Sequence, residues 1–225
     1  LCVCTQTGIK LAGKAAGKHI CFNKVGEWSD HLFNNKMEST MILRGTLVFT
    51  LLLMPLLASA HNFQQNQRVA PVGINDRGEL LLDNNKFSYK TWNSAQLPGK
   101  VRVLLHMAGR TSAKEKNAGV IEAIKAANLP HDKYQTTTIV NTDDVIPGSG
   151  MFVRSALESN KKQFPWSQIV VDENGAARGA WQLEEEGSAV VVLDKDGRVQ
   201  FAKDGGLTQA EVQQVVSLLH TLLSK

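Results

Sequence analysis

From residue 72 onward the apolar and polar positions change period in a regular order. Val72–Ile74 and Glu79–Leu82 flank Asn75-Asp76-Arg77-Gly78, a hairpin-like turn. Val101–His106 is a short apolar run, the pattern of a strand buried on both faces. A loop at 107–110 leads to Ser112-Ala113-Lys114-Glu115, whose Ser-x-x-Glu spacing predicts a capping box. Ala113, Val120, Ile121 and Ile124 then recur at helical spacing until Pro130 stops the helix. Tyr134–Val140 reads as the next strand, so strand, helix and strand suggest a right-handed parallel crossover. After the break at Pro147–Gly150, Met151–Phe164 reads as a helix with Phe152, Ala156 and Leu157 on one side. Gln168–Val171 reads as a strand, Asp172–Gly175 as a turn and Ala176–Trp181 as a short helix. Val190–Leu193 and Arg198–Phe201 flank Asp194-Lys195-Asp196-Gly197, a hairpin signal. Thr208–Glu211 is a second capping box, opening a last helix with Val212, Val215, Val216, Leu219, Leu222 and Leu223 on its apolar side.

An earlier segment has a different pattern. Residues 41–60 read MILRGTLVFTLLLMPLLASA: a positive Arg44, a twelve-residue apolar run at Thr46–Leu57, and Ala58-Ser59-Ala60 as an Ala-x-Ala site. These are the parts of a secretory signal peptide in order, with cleavage expected after Ala60. The run is too short for a stable membrane anchor and is interrupted by Pro55. Forty residues precede it, and Met41 or Met37 is a natural start. Residues 1–40 are therefore expected to be a non-native upstream extension, and residues 61–225 to be the exported, periplasmic domain.

That division changes the composition. The 225-residue chain carries 25 basic and 21 acidic side chains, but six and three of these lie in the first 60 residues. The remaining 19 and 18 are nearly balanced, which gives no reason to expect nucleic acid as a partner. Cys2, Cys4 and Cys21 all lie before residue 41, so residues 61–225 contain no cysteine. A product starting at His61 is expected to form no disulfide and perform no thiol catalysis. At 165 residues it is long enough to bury a core without such staples.

Three stretches resemble the peroxiredoxin and thiol-reductase branch of the thioredoxin-like proteins. Ser94–Val101 (SAQLPGKV) is similar to the leader before the first central strand. Phe164–Gly175 (FPWSQIVVDENG) and Ala189–Gly197 (AVVVLDKDG) are similar to that branch's Asp-x-x-Gly segment and its later hairpin. More closely, residues 61–225 resemble the YtfJ-type family of exported enterobacterial proteins. The resemblance implies a single α/β thioredoxin-like domain, a central mixed sheet with helices on both faces, and a periplasmic location. It supplies no reaction. In the redox branch a nucleophilic thiolate sits at the first core helix N-terminus, where the dipole stabilises an anion. The two thiol positions fall here on Thr111 and Lys114. That branch also places a proline opposite, where this chain has Gly187-Ser188-Ala189.

What remains is a helix start with Arg110, Thr111, Ser112 and Lys114, read either as an anion-binding site or as simple capping. His106 ends the first core strand, and Asp143 with Asp144 follows the next. His106 and Asp143 would form an acid–base or metal pair if they met, but two ligands are too few for a closed metal site. An N-terminal His61 would offer an amine and imidazole to copper, though a chance position at an exposed terminus explains it equally. The Asp-rich turns at 172 and 194 lack the glutamate a calcium loop needs at its twelfth position, where Leu183 and Gly205 stand. Glu184-Glu185-Glu186 reads as a solvated loop. Trp92, Trp166 and Trp181 read as packing, with a groove lining as the alternative. No P-loop, Gly-x-Ser-x-Gly or His-Glu-x-x-His occurs. No cofactor and no metal is expected.

Three functions follow. The first is a module that holds a peptide or envelope protein through residues 107–114, Ser188 and a tryptophan. The second is a non-redox enzyme using Thr111, His106 or Lys114. The third, a transcriptional regulator, is opposed by export, by the balanced charge and by the lack of a basic helix–turn–helix.

Overall fold

Residues 61–225 are described by a computed structural model. The upstream extension and the signal segment, 1–60, lie outside the described residues. Seven strands form one sheet: β1 Gly73–Asp83, β2 Lys86–Asn93, β3 Val101–Ala108, β4 Tyr134–Asn141, β5 Gln168–Asp172, β6 Ser188–Leu193 and β7 Val199–Asp204. Their order is β2-β1-β5-β4-β3-β6-β7. β3, β4 and β5 run parallel, and the remaining pairs are antiparallel. The helices are α1 Thr111–Lys116, α2 Ala118–Ala126, α3 Gly150–Gln163, α4 Ala176–Trp181 and α5 Gln209–Leu223. α1, α2, α3 and α5 cover one face, around Val103, Leu105, Val190, Val192 and Val215. α4 covers the other, where Trp181 packs with Trp92, Leu104, Ile139 and Val191. The expected mixed sheet with helices on both faces is therefore present. Among the described residues no helix is long and apolar enough to cross a membrane.

Every side chain of β3 and β6 is buried, as strands covered on both faces require. One of them is charged. Arg102 is 6% exposed, and its Nε donates to the Leu97 carbonyl at 2.5 Å. Nη1 reaches Thr137 Oγ1 at 2.9 Å and Gln168 Oε1 at 3.3 Å, and Nη2 reaches the Gln96 carbonyl at 3.2 Å. The guanidinium thus ties β3, β4, β5 and the short 3₁₀ turn Ser94–Gln96 together at the N-terminal end of the parallel strands. Its partners are all neutral, and burial lowers its pKa.

Four elements differ from the sequence expectation. Asn75–Gly78 is not a hairpin turn but a bulge inside β1, where the register shifts between Ile74 and Glu79. Gly78 has φ +78°, and a Cβ there would overlap the Lys90 carbonyl. A bulge and a turn make the same demand on glycine, so the residue type cannot separate them. The hairpin turn is at Asn84-Asn85, both with positive φ. The helix expected from Ser112 is two helices, broken at buried Asn117. The capping box at Ser112 does not form. The helix starts at Thr111, with Arg110 in the cap position and no side chain bonded to the first helical amides.

In α3 the inward positions are Val153, Leu157 and Lys161 rather than Phe152 and Ala156. A lysine holds the third inward position because its ammonium donates to the carbonyls of Pro165 and Ser167, at 3.1 and 2.7 Å. That rotates the packed face by one residue and leaves Phe152 outside. The capping box on α5 does form: Thr208 Oγ1 accepts from the Glu211 amide at 3.3 Å, and the Glu211 carboxylate accepts from the Thr208 amide at 2.7 Å.

Replacing Arg102 by methionine keeps the volume and removes four donors' worth of cross-strand ties. Urea unfolding followed by the fluorescence of buried Trp92 and Trp181 is expected to show a loss of about 2–3 kcal/mol. An unchanged midpoint would assign Arg102 no part in holding the strand ends.

Candidate functional site

The sequence places its candidate residues at the C-terminal ends of the parallel strands, and the structure explains how those ends are held. The Gly109 amide donates to the Asn141 carbonyl at 2.8 Å, Thr142 to Asp172 at 2.8 Å and Ala108 to Gly187 at 3.0 Å. Asn141, the fully buried last residue of β4, is the hub. Its Nδ2 donates to Asp144 Oδ2 at 2.8 Å, and its Oδ1 accepts from the Asp143 amide at 3.0 Å. Asp172, buried at the end of β5, accepts from the first two amides of α4, Ala176 and Ala177, at 3.0 and 2.8 Å. Burial raises its pKa against those two hydrogen bonds.

Two arginines then lock the loops. Arg110 donates through Nε to the Asp144 carbonyl at 2.5 Å and pairs through Nη2 with Glu186 at 2.8 Å. Arg178 pairs with Glu185 at 2.6 Å and with Asp143 at 3.3 Å. Its Nε lies 4.0 Å from Asp144, close enough for attraction but too long for a hydrogen bond. The acidic run at 184–186 is therefore not simply solvated: two of its three carboxylates close on the cations of this surface.

The expected anion site is filled by the chain's own acids. Arg110 is paired, and α1 is too short to present a free N-terminus as a binding site. Thr111, Ser112 and Lys114 are exposed. His106 and Asp143 do not meet. Asp143 is held by Arg178, whereas His106 is 3% exposed and its Nε2 has no partner among the described residues. No hydrogen bond joins His106 to Thr111, so that hydroxyl has no base to activate it. Ser188 is buried with its Oγ unpartnered, inside the sheet rather than in a groove.

The tryptophans are not a groove either. Trp92 and Trp181 are core, and Trp181 Nε1 donates to the Ala70 carbonyl at 2.9 Å. Trp166 stacks on His131 at 4.4 Å, at the opposite end of the strands. Among the described residues no group of three or more His, Cys, Asp or Glu side chains converges.

Sequence reasoning missed Asn141 and Arg178, and the bonding roles of Asp144, Glu185 and Glu186. Part of the signal was present: Arg110 falls just past the predicted strand Val101–His106, Arg178 in the short helix after Gln168–Val171, and the acidic run just before Val190–Leu193. Sequence reasoning also missed a cluster of exposed apolar side chains in the segment after β4. Ile146, Met151 and Phe152 are 55%, 80% and 76% exposed. That segment is anchored beside the turn into α1, where Val145 packs so tightly on Gly109 that a Cβ would collide with it.

His106 gives this region a pH signature. Burial, followed by the Arg178 charge, pushes its pKa from 6.5 down to about 4. Its contribution to stability is complete above pH 6.5 and is lost as pH falls toward 4, because only the unfolded chain takes up the proton in that window. Wild type is expected to lose about 3 kcal/mol more than His106→Phe between pH 7 and pH 4, read from urea midpoints. Parallel pH profiles would remove His106 from the account.

Comparison with known proteins agrees with the topology. The uncharacterized protein YtfJ of Escherichia coli (strain K12) is 74% identical over 183 residues, covering 81% of this chain and 100% of that protein. An uncharacterized protein of Haemophilus influenzae is 45% identical over 163 residues, covering 72% of this chain and 89% of that one. The solution structure of a putative protein disulfide isomerase from Bacteroides thetaiotaomicron superposes with a TM-score of 0.53 at 14% identity. It covers 73% of this chain and 93% of the other, a likeness of fold alone, and gives the domain its thioredoxin-like class. Residues 63–222 match the model of the family described as "Bacterial protein of unknown function (YtfJ_HI0045)", and the chain belongs to that family.

Proposed function

We propose that the protein is an exported binding module, processed after Ala60, whose thioredoxin-like domain holds a peptide or envelope protein in the periplasm without thiol chemistry. The observation that carries this reading is the exposure of Ile146, next to the Val145 that packs on Gly109, and of Met151 and Phe152 in the first turn of α3. Large apolar side chains grouped on an otherwise polar surface mark an interaction site. The support beneath them is preorganised: Asn141, Arg110 and Arg178 fix the flanking loops through hydrogen bonds and ion pairs. A surface held in one shape loses less conformational freedom when a partner docks. The thiol positions of the redox branch are occupied by Thr111 and Lys114, and residues 61–225 hold no cysteine. Analogy of fold does not carry chemistry without the atoms that perform it.

A photo-crosslinking amino acid placed at Met151 tests the surface, with the same group at exposed Gln213 on α5 as the control. In intact cells Met151 is expected to give an adduct of defined mass that Gln213 does not give and that Phe152→Ser weakens severalfold. Identical adducts from both positions would refute the surface. Recovery from the envelope of a chain that does not begin at His61 would refute the processing.

A further inference from the structure

A second feature lies between α3 and the sheet, apart from the loops locked by Arg110 and Arg178. It is an open cleft of about 280 Å³. Val153 and Leu157 of α3 form one wall, Val171 of β5 and Tyr89 of β2 the floor, and Val145 one end. Arg154 also lines it and is exposed. Of the seven arginines in residues 61–225, six are bonded to a carbonyl or carboxylate: Arg68, Arg77, Arg102, Arg110, Arg178 and Arg198. Arg154 alone has no hydrogen bond or ion pair among the described residues. Glu173 also lines the cleft, but its Oε1 is held by Arg77 at 2.7 Å, so it leaves Arg154 uncompensated.

The geometry points to a binding site for an anionic amphiphile: a short aliphatic chain lies along Val153, Leu157 and Val171, and its carboxylate or phosphate pairs with Arg154. Apolar walls with a few placed polar groups, here Arg154, Thr142 and the Arg77-bound Glu173, are the usual make-up of a small-molecule site, and this cleft is close to the lower end of the common range of about 300–1,000 Å³. Charge selects the anion, and a guanidinium fits carboxylate and phosphate geometry. The walls select against a peptide. They are the side of a helix and the face of a sheet, whose backbone groups are already paired within helix and ladder. A peptide laid there would bury its own amides without partners, which costs free energy that an acyl chain does not incur. This site is independent of the partner surface above, and either can fail alone.

Calorimetric titration of the envelope-purified protein with decanoate and with decyl phosphate tests the proposal. Arg154 is exposed, so Arg154→Gln is expected to fold normally and to weaken both probes about tenfold. Arg154→Lys is expected to retain most of the affinity, and uncharged 1-decanol to bind about as weakly as the Gln variant binds decanoate. Amide-resonance shifts are expected at Val153 and Leu157. Tighter binding of decanoate indicates a free fatty acid as the natural source, and tighter binding of decyl phosphate a phospholipid headgroup. The proposal is overturned by the absence of saturable binding or by equal affinity in Arg154→Gln. It is equally overturned if only phosphatidylglycerol vesicles are bound, or if acetyl-Leu-Val-Leu-Phe-amide displaces decanoate at lower concentration.

Discussion

Burial of β3 and β6 on both faces is the constraint from which the rest of the molecule follows. β6 pairs with β3 along its whole length, with no side chain of either reaching solvent to any large extent. Polar groups there must find partners inside the protein or stay neutral. Arg102 takes the first course, with four oxygen acceptors from two neighbouring strands and the turn before its own. His106 takes the second, as an uncharged imidazole beneath a cationic helix residue. Neither has the freedom to bind a ligand. Chemistry in such a sheet is confined to strand ends and helix surfaces, which is where the loops carry their charges.

At those ends the ion pairs matter more for shape than for stability. Glu185 and Glu186 are mostly exposed, so each pair contributes at most about 1 kcal/mol once solvent screening is counted. Their effect is positional. Arg178 draws the segment after β4 and the loop before β6 onto one guanidinium, and Arg110 joins the same two segments from the α1 side. Asn141 then fixes the segment after β4 through its bonds to Asp143 and Asp144. A buried neutral hub under exposed charged clamps lets the loops keep one geometry while their upper surfaces remain accessible.

Elements whose signal is local were legible in the sequence. The alternation from apolar run to helical spacing placed β3, β4, α5 and the β6–β7 hairpin, and the Thr208–Glu211 spacing named a capping box that forms. The same spacing at Ser112–Glu115 failed, because Arg110 is drawn toward Asp144 and Glu186 and helical geometry begins one residue earlier. The α3 face was misread because Lys161, polar by type, is satisfied by two carbonyls that only the tertiary fold brings near. The bulge at Gly78 was misread because its cause, the close Lys90 backbone, belongs to another strand. The sequence placed its candidate residues at one end of the sheet, and the structure puts His106, Arg110 and Asp143 at the C-terminal ends of β3 and β4 or in the loops after them. It could not say which charges neutralise one another, because Arg110 and Glu186 are 76 positions apart.

The arginines show why that distinction decides function. Arg110, Arg154 and Arg178 carry the same charge and the same five donors, and composition treats them alike. Arg110 and Arg178 face carboxylates of their own chain at 2.8 and 2.6 Å, so an incoming anion would have to displace an ion pair already made. Arg154 makes no ion pair among the described residues, and the carboxylate that lines its cleft, Glu173, is held by Arg77, so an incoming anion has no pair of Arg154 to displace. Binding capacity in this domain therefore tracks what each cation is already bonded to, and the residue most visible in the sequence, Arg110 at a helix start, is less available than one in the first turns of a polar helix.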